Sequence, residues 1–310
     1  MDPERALPNF FAGPYIDRCA EAREAAVWLA EARADGGTRY LLTAGTTHLM
    51  RPEPEPRIAF LQGDHPLVQS AGQRELVLLG WFRNARCVLV ELGNAPLVSL
   101  PAGTRFEELR PLSGHLPREE AGLLAYARAL SVWRARHRFC GTCGAATLPE
   151  KAGHALRCTN PTCAHEIFPR IDPAIIVLVS DGERALLGRQ ASWPHGRYST
   201  IAGFVEPGES LEDAVVREVF EETGVPLEQV SYHSSQPWPF PSSLMLGFHA
   251  RAQRGAQIRL GGELEDARWF TRDEIASGTP LLPPSHAISY RLIAAWYDRT
   301  APVPLAARGA

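Results

Sequence analysis

The sequence lacks several features that would each assign the protein to a particular class. No apolar run is long enough to cross a bilayer, since the longest clean one extends only from Ala174 to Val179. No charge of one sign dominates, because the net charge is -3 over 310 residues, which provides no global basic field for unaided binding of nucleic acid. The N-terminal segment lacks the basic start and apolar core of a signal peptide. The last residues do not match a peroxisomal targeting signal. We therefore expect a cytoplasmic protein without a membrane segment.

Cysteine is scarce, and the six that are present divide into a tight group of four and two ordinary thiols, Cys19 and Cys87. The group consists of Cys-Gly-Thr-Cys and Cys-Thr-Asn-Pro-Thr-Cys, and this spacing is typical of a tetrahedral zinc site. Two disulfides are the alternative, but they suit an oxidising compartment that nothing else in the sequence suggests. Four thiolates close the coordination shell, so we expect a structural zinc and surface positions for the nearby His154 and His165. The predicted zinc ligands are Cys140, Cys143, Cys158 and Cys163.

A charged segment from Gly203 to Val225 is the most informative part of the chain. In this segment a glycine is followed after five residues by a glutamate and after seven more by Arg-Glu. An apolar residue and one residue of any type then precede Glu-Glu, and a further residue of any type precedes a glycine and a final apolar residue. Ser210 can cap a helix, Asp213 completes an arrangement like a capping box, and Gly224 is the expected stop. Apolar residues at helical spacing can face a core, and they are Leu211, Ala214, Val215 and Val219.

Three carboxylates of this helix are predicted to converge on one face, because Glu218 precedes Glu221 by three residues and Glu222 by four. Like charges at this spacing repel, and a divalent metal with oxygen ligands relieves the repulsion while it bridges to phosphates. The alternative is a solvated acidic helix with Arg217 as an ion-pair partner. The intact spacing and loop glycines favour the metal-binding interpretation.

A proline-rich segment, Ser235 to Ser243, follows the acidic helix. Its alternating prolines fix φ and remove backbone donors, so a helix or a central strand is excluded and we expect extended, rigid backbone. Trp238 and Phe240 would then project as a surface for an adenine or nicotinamide ring, with Gln236 among the residues available for hydrogen bonds. A surface proline-rich peptide or an SH3-type ligand is the alternative.

The segment from Gly203 to Val225 resembles the Nudix box, and SQPWPFPSS resembles the specificity motif of the NADH pyrophosphatase subfamily of Nudix hydrolases. With the four-cysteine group in the same order, the resemblance covers most of the chain. It implies an α+β fold, in which a Nudix α/β/α sandwich with a mixed sheet is preceded by a small zinc ribbon and an N-terminal α+β domain. It also implies a homodimer that hydrolyses the diphosphate of NADH or NAD to AMP and nicotinamide mononucleotide with Mg2+ or Mn2+. Members also resemble enzymes that remove NAD from RNA 5′ ends.

The resemblance further implies roles for single residues of this sequence. The backbone carbonyl of Ala202 and the carboxylates of Glu218, Glu222 and Glu263 would hold Mg2+ or Mn2+, and Glu221 would be a further ligand or the base that activates water. Arg217 would orient the carboxylates. The expected substrate contacts are Gln236, Pro237, Trp238, Pro239, Phe240, Pro241, Ser242, Ser243, Phe168, Phe204 and Ser289, with Arg110 as a weaker phosphate-binding candidate that could equally be a plain surface arginine.

Two other functions stay open from the residues. The first is a Nudix hydrolase of another nucleoside diphosphate derivative, such as ADP-ribose, a nucleoside diphosphate sugar or a dinucleoside polyphosphate. The second is a catalytically silent nucleotide sensor whose ribbon binds nucleic acid or protein. The presence of Glu218, Glu221 and Glu222 argues against a catalytically silent protein. The proline-rich motif favours NADH as the substrate. The sequence does not rank NADH, NAD and NAD-capped RNA, nor Mg2+ and Mn2+.

The length suggests about two domains, and the motifs divide the chain into an N-terminal domain with a connecting helix (1-134), the ribbon (135-170) and the Nudix domain (171-310). A charged proline-rich connector is expected at Arg51 to Pro56. The predicted helices extend from Pro117 to Arg136 and from Ala287 to Asp298. The predicted strands are Arg57 to Gln62, Glu75 to Phe82, Arg86 to Leu92, Pro173 to Val179, Arg184 to Arg189, Thr200 to Val205, Val230 to Ser235, Leu244 to Arg251 and Ala267 to Phe270.

Overall fold

A computed structural model describes residues 8–25, 27–93 and 100–308. Residues 1–7 and the last two residues lie outside this description. The expectation about a signal peptide depends on residues 1–7. The chain divides into two compact units, one made of residues 11–171 and 238–242 and the other of residues 1–10, 172–237 and 243–310. Because the ribbon and the N-terminal residues share one unit, the division into three domains stays a prediction.

The unit that contains the N-terminal domain is built on a mixed sheet with the order β1-β5-β6-β2-β3-β4, in which β7 also pairs with β3. Its core is formed by apolar side chains of β2, β5 and β6, such as Leu42, Leu78 and Val88. Every second side chain of a strand lies on the same face of the sheet, and these side chains pack together there. The strands are β1 Ile16–Asp17, β2 Arg39–Ala44, β3 Thr47–Arg51, β4 Arg57–Ile58, β5 Leu76–Phe82, β6 Ala85–Glu91 and β7 Arg105–Glu108. The helices are α1 Trp28–Ala34, α2 Pro66–Gln69, α3 Leu109–Leu112 and α4 Arg118–Arg136.

The predicted helix after Pro117 is confirmed as α4, with Pro117 at its N-cap. The expected connector after Arg51 is the loop between β3 and β4. The strand predicted from Arg57 is wrong in length, because only Arg57 and Ile58 pair with β3. The ribbon is a separate antiparallel sheet of β8 Thr147–Glu150, β9 Ala155–Cys158 and β10 Glu166–Ile167.

The second unit is a mixed sheet with helices on both faces. The central strand alternates between two cores: Ile175 and Val177 pack with α5, whereas Ile176 and Leu178 pack with α7. A strand that is buried on both faces must be apolar throughout, which explains the clean run in the sequence. The elements are β11 Asp172–Ser180, β12 Arg184–Arg189, β13 Ile201–Phe204, α5 Leu211–Thr223, β14 Leu227–Trp238, β15 Ser243–Ala252, β16 Asp266–Thr271, α6 Arg272–Ala276 and α7 Ile288–Tyr297.

The strand order of this sheet is β14-β15-β11-β12-β16, with β13 beside β11. Strands β11 and β15 are parallel, and the pairs of β11 with β12 and β13 are antiparallel. The predicted α/β/α sandwich with a mixed sheet is therefore confirmed. Among the described residues, none of the helices combines the length and the apolar content that a membrane span requires.

Candidate active site

Helix α5 begins and ends where its sequence predicts. The Ser210 hydroxyl accepts from the Asp213 backbone N–H, and the Asp213 carboxylate accepts from the Ser210 N–H, so the capping box is complete. Gly224 ends the helix at φ 65°, a left-handed conformation that favours glycine. The residues predicted to face the core do so: Ala214, Val215 and Val219 are buried and Leu211 packs beside them. This leaves the charged face of α5 free to form a site.

Glu218 lies directly against the backbone of β13. A Cβ atom built on Gly203 would be 1.9 Å from the Glu218 carboxyl carbon, so only glycine leaves room for this carboxylate. Ala202, the residue before it, pairs with Ile176 of β11 and has an exposed side chain. The sheet edge and the helix thus bring the Ala202 backbone and the Glu218 carboxylate, two of the predicted metal ligands, onto neighbouring elements.

The acidic side chains differ in burial. Glu222 is only 8% exposed, whereas the side chain of Glu221 is 58% exposed. Burial first, and then the negative charges of Glu218, Glu263 and Glu221, raise the pKa of Glu222 to about 7. Burial also raises the pKa of Glu218, against the opposing effect of Arg217. The carboxylates therefore lie close enough to raise one another's pKa, which is electrostatically unfavourable, but no three of the described glutamates have oxygens that all lie within 4.8 Å of one another.

A loop of the same unit closes over the end of α5. The Gly261 N–H donates to the Glu222 carbonyl at 2.9 Å, and the Arg259 N–H donates to the Thr223 carbonyl at 2.8 Å. A Cβ atom on Gly261 would be 2.1 Å from the Glu221 carbonyl oxygen, so this approach also requires glycine. The contact places Glu263 near enough to Glu218 and Glu222 to raise the pKa of both.

Arg217 connects the acids. Its Nη1 donates to Glu218 at 2.9 Å and to Glu221 at 3.0 Å, and its Nη2 donates to the Phe204 carbonyl at 2.9 Å. Its Nε and Nη2 also bind both oxygens of Glu209, at 3.0 and 2.6 Å, a bidentate pair that lowers the pKa of Glu209 to about 2. The sequence prediction gave Glu209 no role of this kind, although its fixed place eight residues before Arg217 was the available signal.

The four ribbon cysteines lie together as predicted. Their sulfur atoms are all within 4.8 Å of one another, and none of the six cysteines forms a disulfide. Backbone N–H groups, that of Thr142 first, lower the pKa of Cys140 to about 6, whereas burial raises the pKa of Cys158 to about 12, so the shifts within the group have both directions. The expectation for His154 is wrong, because this residue is buried and its Nε2 lies 2.8 Å from the Leu78 carbonyl oxygen. The adjacent β5 strand supplies that partner, which the sequence spacing does not reveal.

The proline-rich motif is extended only in its first half. Strand β14, an edge strand, continues to Trp238, in agreement with the exclusion of a central strand. Residues 239–242 form a turn, in which the Phe240 N–H donates to the Trp238 carbonyl at 2.8 Å. The expectation of extended backbone through the whole motif is therefore wrong, since proline also fits turns well.

The aromatic rings of this turn are packed within their own unit. The Arg110 guanidinium lies 4.4 Å from the Phe240 ring centroid and 5.9 Å from that of Trp238. Phe11 contacts both rings edge-on, at centroid distances of 6.0 and 6.2 Å. Arg110 is an exposed arginine that contacts both rings, and its contact with phosphate stays a prediction. Pro239 is buried and Pro241 is exposed.

Gln236 is fully buried, whereas the sequence predicts a side chain that is available for hydrogen bonds with a ligand. Its amide nitrogen instead donates to the carbonyls of Phe10 and His286, at 3.1 and 2.8 Å, and its oxygen accepts from the Ile288 N–H at 2.8 Å. The side chain therefore joins the N-terminal segment to the start of α7, where Ser289 is also buried. Because the hydrogen-bond partners of Gln236 are distant in sequence, no local sequence pattern predicts these bonds.

The remaining predicted contacts differ in exposure. Phe204 and Phe168 are large apolar side chains that are 61% and 57% exposed, as a stacking surface requires. Lys151 Nζ lies 5.3 Å from the Phe168 ring centroid within the same unit. Pro237, Ser242 and Ser243 are half-buried. The structure tests none of these contacts, so they stay predictions.

Three family models match consecutive parts of the chain. An NADH pyrophosphatase-like rudimentary NUDIX domain matches residues 37–133, an NADH pyrophosphatase zinc ribbon domain matches residues 135–168, and a NUDIX domain matches residues 170–297. The order of the three agrees with the order of the sequence motifs.

Curated relatives cover most of the chain. The NAD-capped RNA hydrolase NUDT12 of Macaca fascicularis is 34% identical over 93% of this chain and 73% of its own length. The NAD-capped RNA hydrolase NudC of Stutzerimonas stutzeri is 42% identical over 71% of this chain and 77% of its own length. Similarity of this extent includes the helix, the ribbon and the proline-rich motif together.

Proposed function

This chain belongs to the NADH pyrophosphatase branch of the Nudix hydrolases, and on that premise we propose that it hydrolyses the diphosphate of NADH and NAD to AMP and nicotinamide mononucleotide and removes NAD from RNA 5′ ends. The observation that carries the proposal is the similarity, over most of both chains, to relatives named NAD-capped RNA hydrolases. The complete set of Glu218, Glu221 and Glu222 supports catalysis over a silent sensor.

The acidic site fits a divalent cation of the magnesium type. Its donors are carboxylate oxygens, which Mg2+ and Mn2+ prefer, and the burial of Glu222 among like charges is relieved by a cation. In the part of the chain that the structure describes, the ribbon thiols are the group in which three or more possible ligand atoms all lie within 4.8 Å of one another. The glutamates do not form such a group, and Arg217 donates to both Glu218 and Glu221. Coordination of one cation by three of these carboxylates would therefore bring their oxygens closer together.

We assign the metal-binding residues as the Ala202 carbonyl, Glu218, Glu222 and Glu263. A bound Mg2+ or Mn2+ would neutralise charge on the diphosphate and act as a Lewis acid. Glu221 is the exposed acid beside them, which suits it to be a further ligand or to accept a proton from the attacking water. Arg217 holds Glu218 and Glu221 through hydrogen bonds, so its role is to orient them.

The other assignments follow the same premise. Trp238, Phe240, Phe168 and Phe204 would contact the rings of the substrate, and Arg110 would contact a phosphate. The four ribbon thiols fit zinc, which would complete a closed tetrahedral shell and stabilise the ribbon without chemistry. We also propose a homodimer in the cytoplasm, as the family resemblance implies, and analytical ultracentrifugation tests the dimer.

The decisive experiment compares specificity constants of the purified protein for NADH, NAD-capped RNA and ADP-ribose, each with Mg2+, with Mn2+ and with chelator. We expect cleavage that depends on a divalent ion and a preference for a substrate that contains nicotinamide. A clear preference for ADP-ribose would instead support a Nudix hydrolase of other nucleoside diphosphate derivatives. Cleavage that is indifferent to divalent ions would contradict the assignment of the glutamates.

A further inference from the structure

Trp238, the last residue of β14, and the turn that follows it at 239–242 belong to the unit that contains the N-terminal domain, although the rest of β14 and the whole of β15 belong to the other unit. One side chain of α4 binds its backbone. Arg128 Nε donates to the Pro239 carbonyl at 2.9 Å, and Arg128 Nη1 donates to the Thr46 carbonyl at 2.7 Å. One rigid guanidinium therefore joins the turn to the loop between β2 and β3.

The guanidinium of Arg128 is committed to these two carbonyls. The side chain is only 10% exposed, and the nearest carboxylate oxygen, on Glu108, is 4.0 Å from Nη1, at the outer limit of an ion pair. A buried cation without a close carboxylate is unfavourable unless its N–H groups are satisfied, and here backbone carbonyls satisfy them. The Phe240 ring adds a further contact, with its centroid 5.5 Å from the guanidinium carbon.

We propose that Arg128 is a positioning residue for substrate discrimination, whose bonds to Pro239 and Thr46 fix the turn that carries Trp238 and Phe240. The N-terminal unit thereby sets the shape of the surface that recognises the nicotinamide end of the substrate. This inference rests on the proposed function, because it assumes that the proline-rich motif recognises NADH. No sequence pattern indicates Arg128, since its partner at Pro239 is 111 residues away.

Helix α4 also contains a matched control. Arg134 and Arg128 are each 8% exposed when the whole residue is counted. Arg134 Nε pairs with Glu91 at 2.8 Å, and its remaining described bonds are to the carbonyls of Arg74 and Gly153, none of which belongs to the proline-rich motif. A substitution of Arg134 therefore removes an equally buried guanidinium from the same helix without touching the motif.

The test replaces each arginine with lysine, which keeps the charge but cannot bridge two carbonyls with a rigid fork. Specificity constants are measured for NADH and for ADP-ribose, which contains the diphosphate but no nicotinamide. For R128K we expect a loss of about tenfold or more on NADH, mainly through a higher KM, and a several-fold smaller loss on ADP-ribose. For R134K we expect a lower Tm and an unchanged ratio of the two constants.

Several results would overturn the proposal. Equal losses on both substrates in R128K, or the same change of ratio in R134K, would make Arg128 an ordinary stabilising residue. If R128K does not fold, R128Q, which retains an amide donor for one carbonyl, is measured in its place, and unfolding of both would likewise assign Arg128 to the fold alone. A wild-type protein that does not cleave NADH would refute the proposed function, whereas an unchanged ratio in an active R128K would refute only this inference.

Discussion

Replacement of Gly203 with alanine should disable the acidic site while it leaves the fold intact. The backbone of Gly203 is in β13 and does not adopt a positive φ, so alanine fits the strand itself. The new methyl group would meet the Glu218 carboxyl carbon at 1.9 Å, and ordinary contact begins at 3.4 Å, so that side chain must retreat by about 1.5 Å. The perturbation therefore displaces one predicted metal ligand and little else.

The size of the effect follows from this displacement. A misplacement of about 1 Å in a catalytic constellation can lower the rate about a hundredfold, which corresponds to about 2.7 kcal/mol of transition-state stabilisation. Stability should change little or rise slightly, because alanine in place of a strand glycine lowers the entropy of the unfolded chain. We thus expect kcat/KM for NADH to fall about a hundredfold, with a Tm equal to or above that of the wild type.

The assay is NADH hydrolysis at several Mn2+ concentrations, together with thermal unfolding. Gly36→Ala is the control, since a Cβ atom there meets no atom within 4 Å. A double-mutant cycle adds Glu218→Ala, and Gly203→Ala should then have almost no further effect, because the side chain that it displaces is gone. Activity of Gly203→Ala within threefold of the wild type would refute the requirement for Glu218 at this position.

Four further outcomes are expected. Glu221→Gln and Glu222→Gln should each lower turnover by orders of magnitude with an unchanged circular dichroism spectrum, and near-wild-type rates for both would remove α5 as the metal-binding helix. Trp238→Ala should impair NADH cleavage more than ADP-ribose cleavage, and equal losses would mean that the ring only packs the protein. Gln236→Leu should lower the free energy of unfolding in urea by about 3 kcal/mol, since it removes three hydrogen bonds to backbone groups, two of them buried, and an unshifted midpoint would contradict this. Cys158→Ser should reduce the zinc content of the purified protein and its Tm, whereas full zinc retention would exclude Cys158 as a ligand.

Much of the site could be predicted because its signals are local. The start of α5 depends on Ser210 and Asp213, three residues apart, and its end depends on Gly224. The cluster of ribbon cysteines is likewise recognisable from spacing alone, since the turns that bring these residues together are short. In the N-terminal unit the signals were weaker: β2 and β3 are central strands, yet their apolar runs are too short for a clear period, and no strand was predicted there.

For the proline-rich motif, the sequence predicts the backbone conformation only in part and does not predict the side-chain contacts. Its residue types correctly exclude a helix, but they do not reveal which atoms meet protein and which meet solvent. Gln236 engages both N–H groups of its amide and its oxygen with backbone groups 50 or more residues away, so a role toward substrate can act only through the backbone that it fixes. Trp238 and Phe240 instead remain partly exposed, and both rings contact Phe11 and Arg110. A single motif therefore combines one fully buried residue that anchors the strand with two partly exposed rings, and only long-range contacts distinguish them.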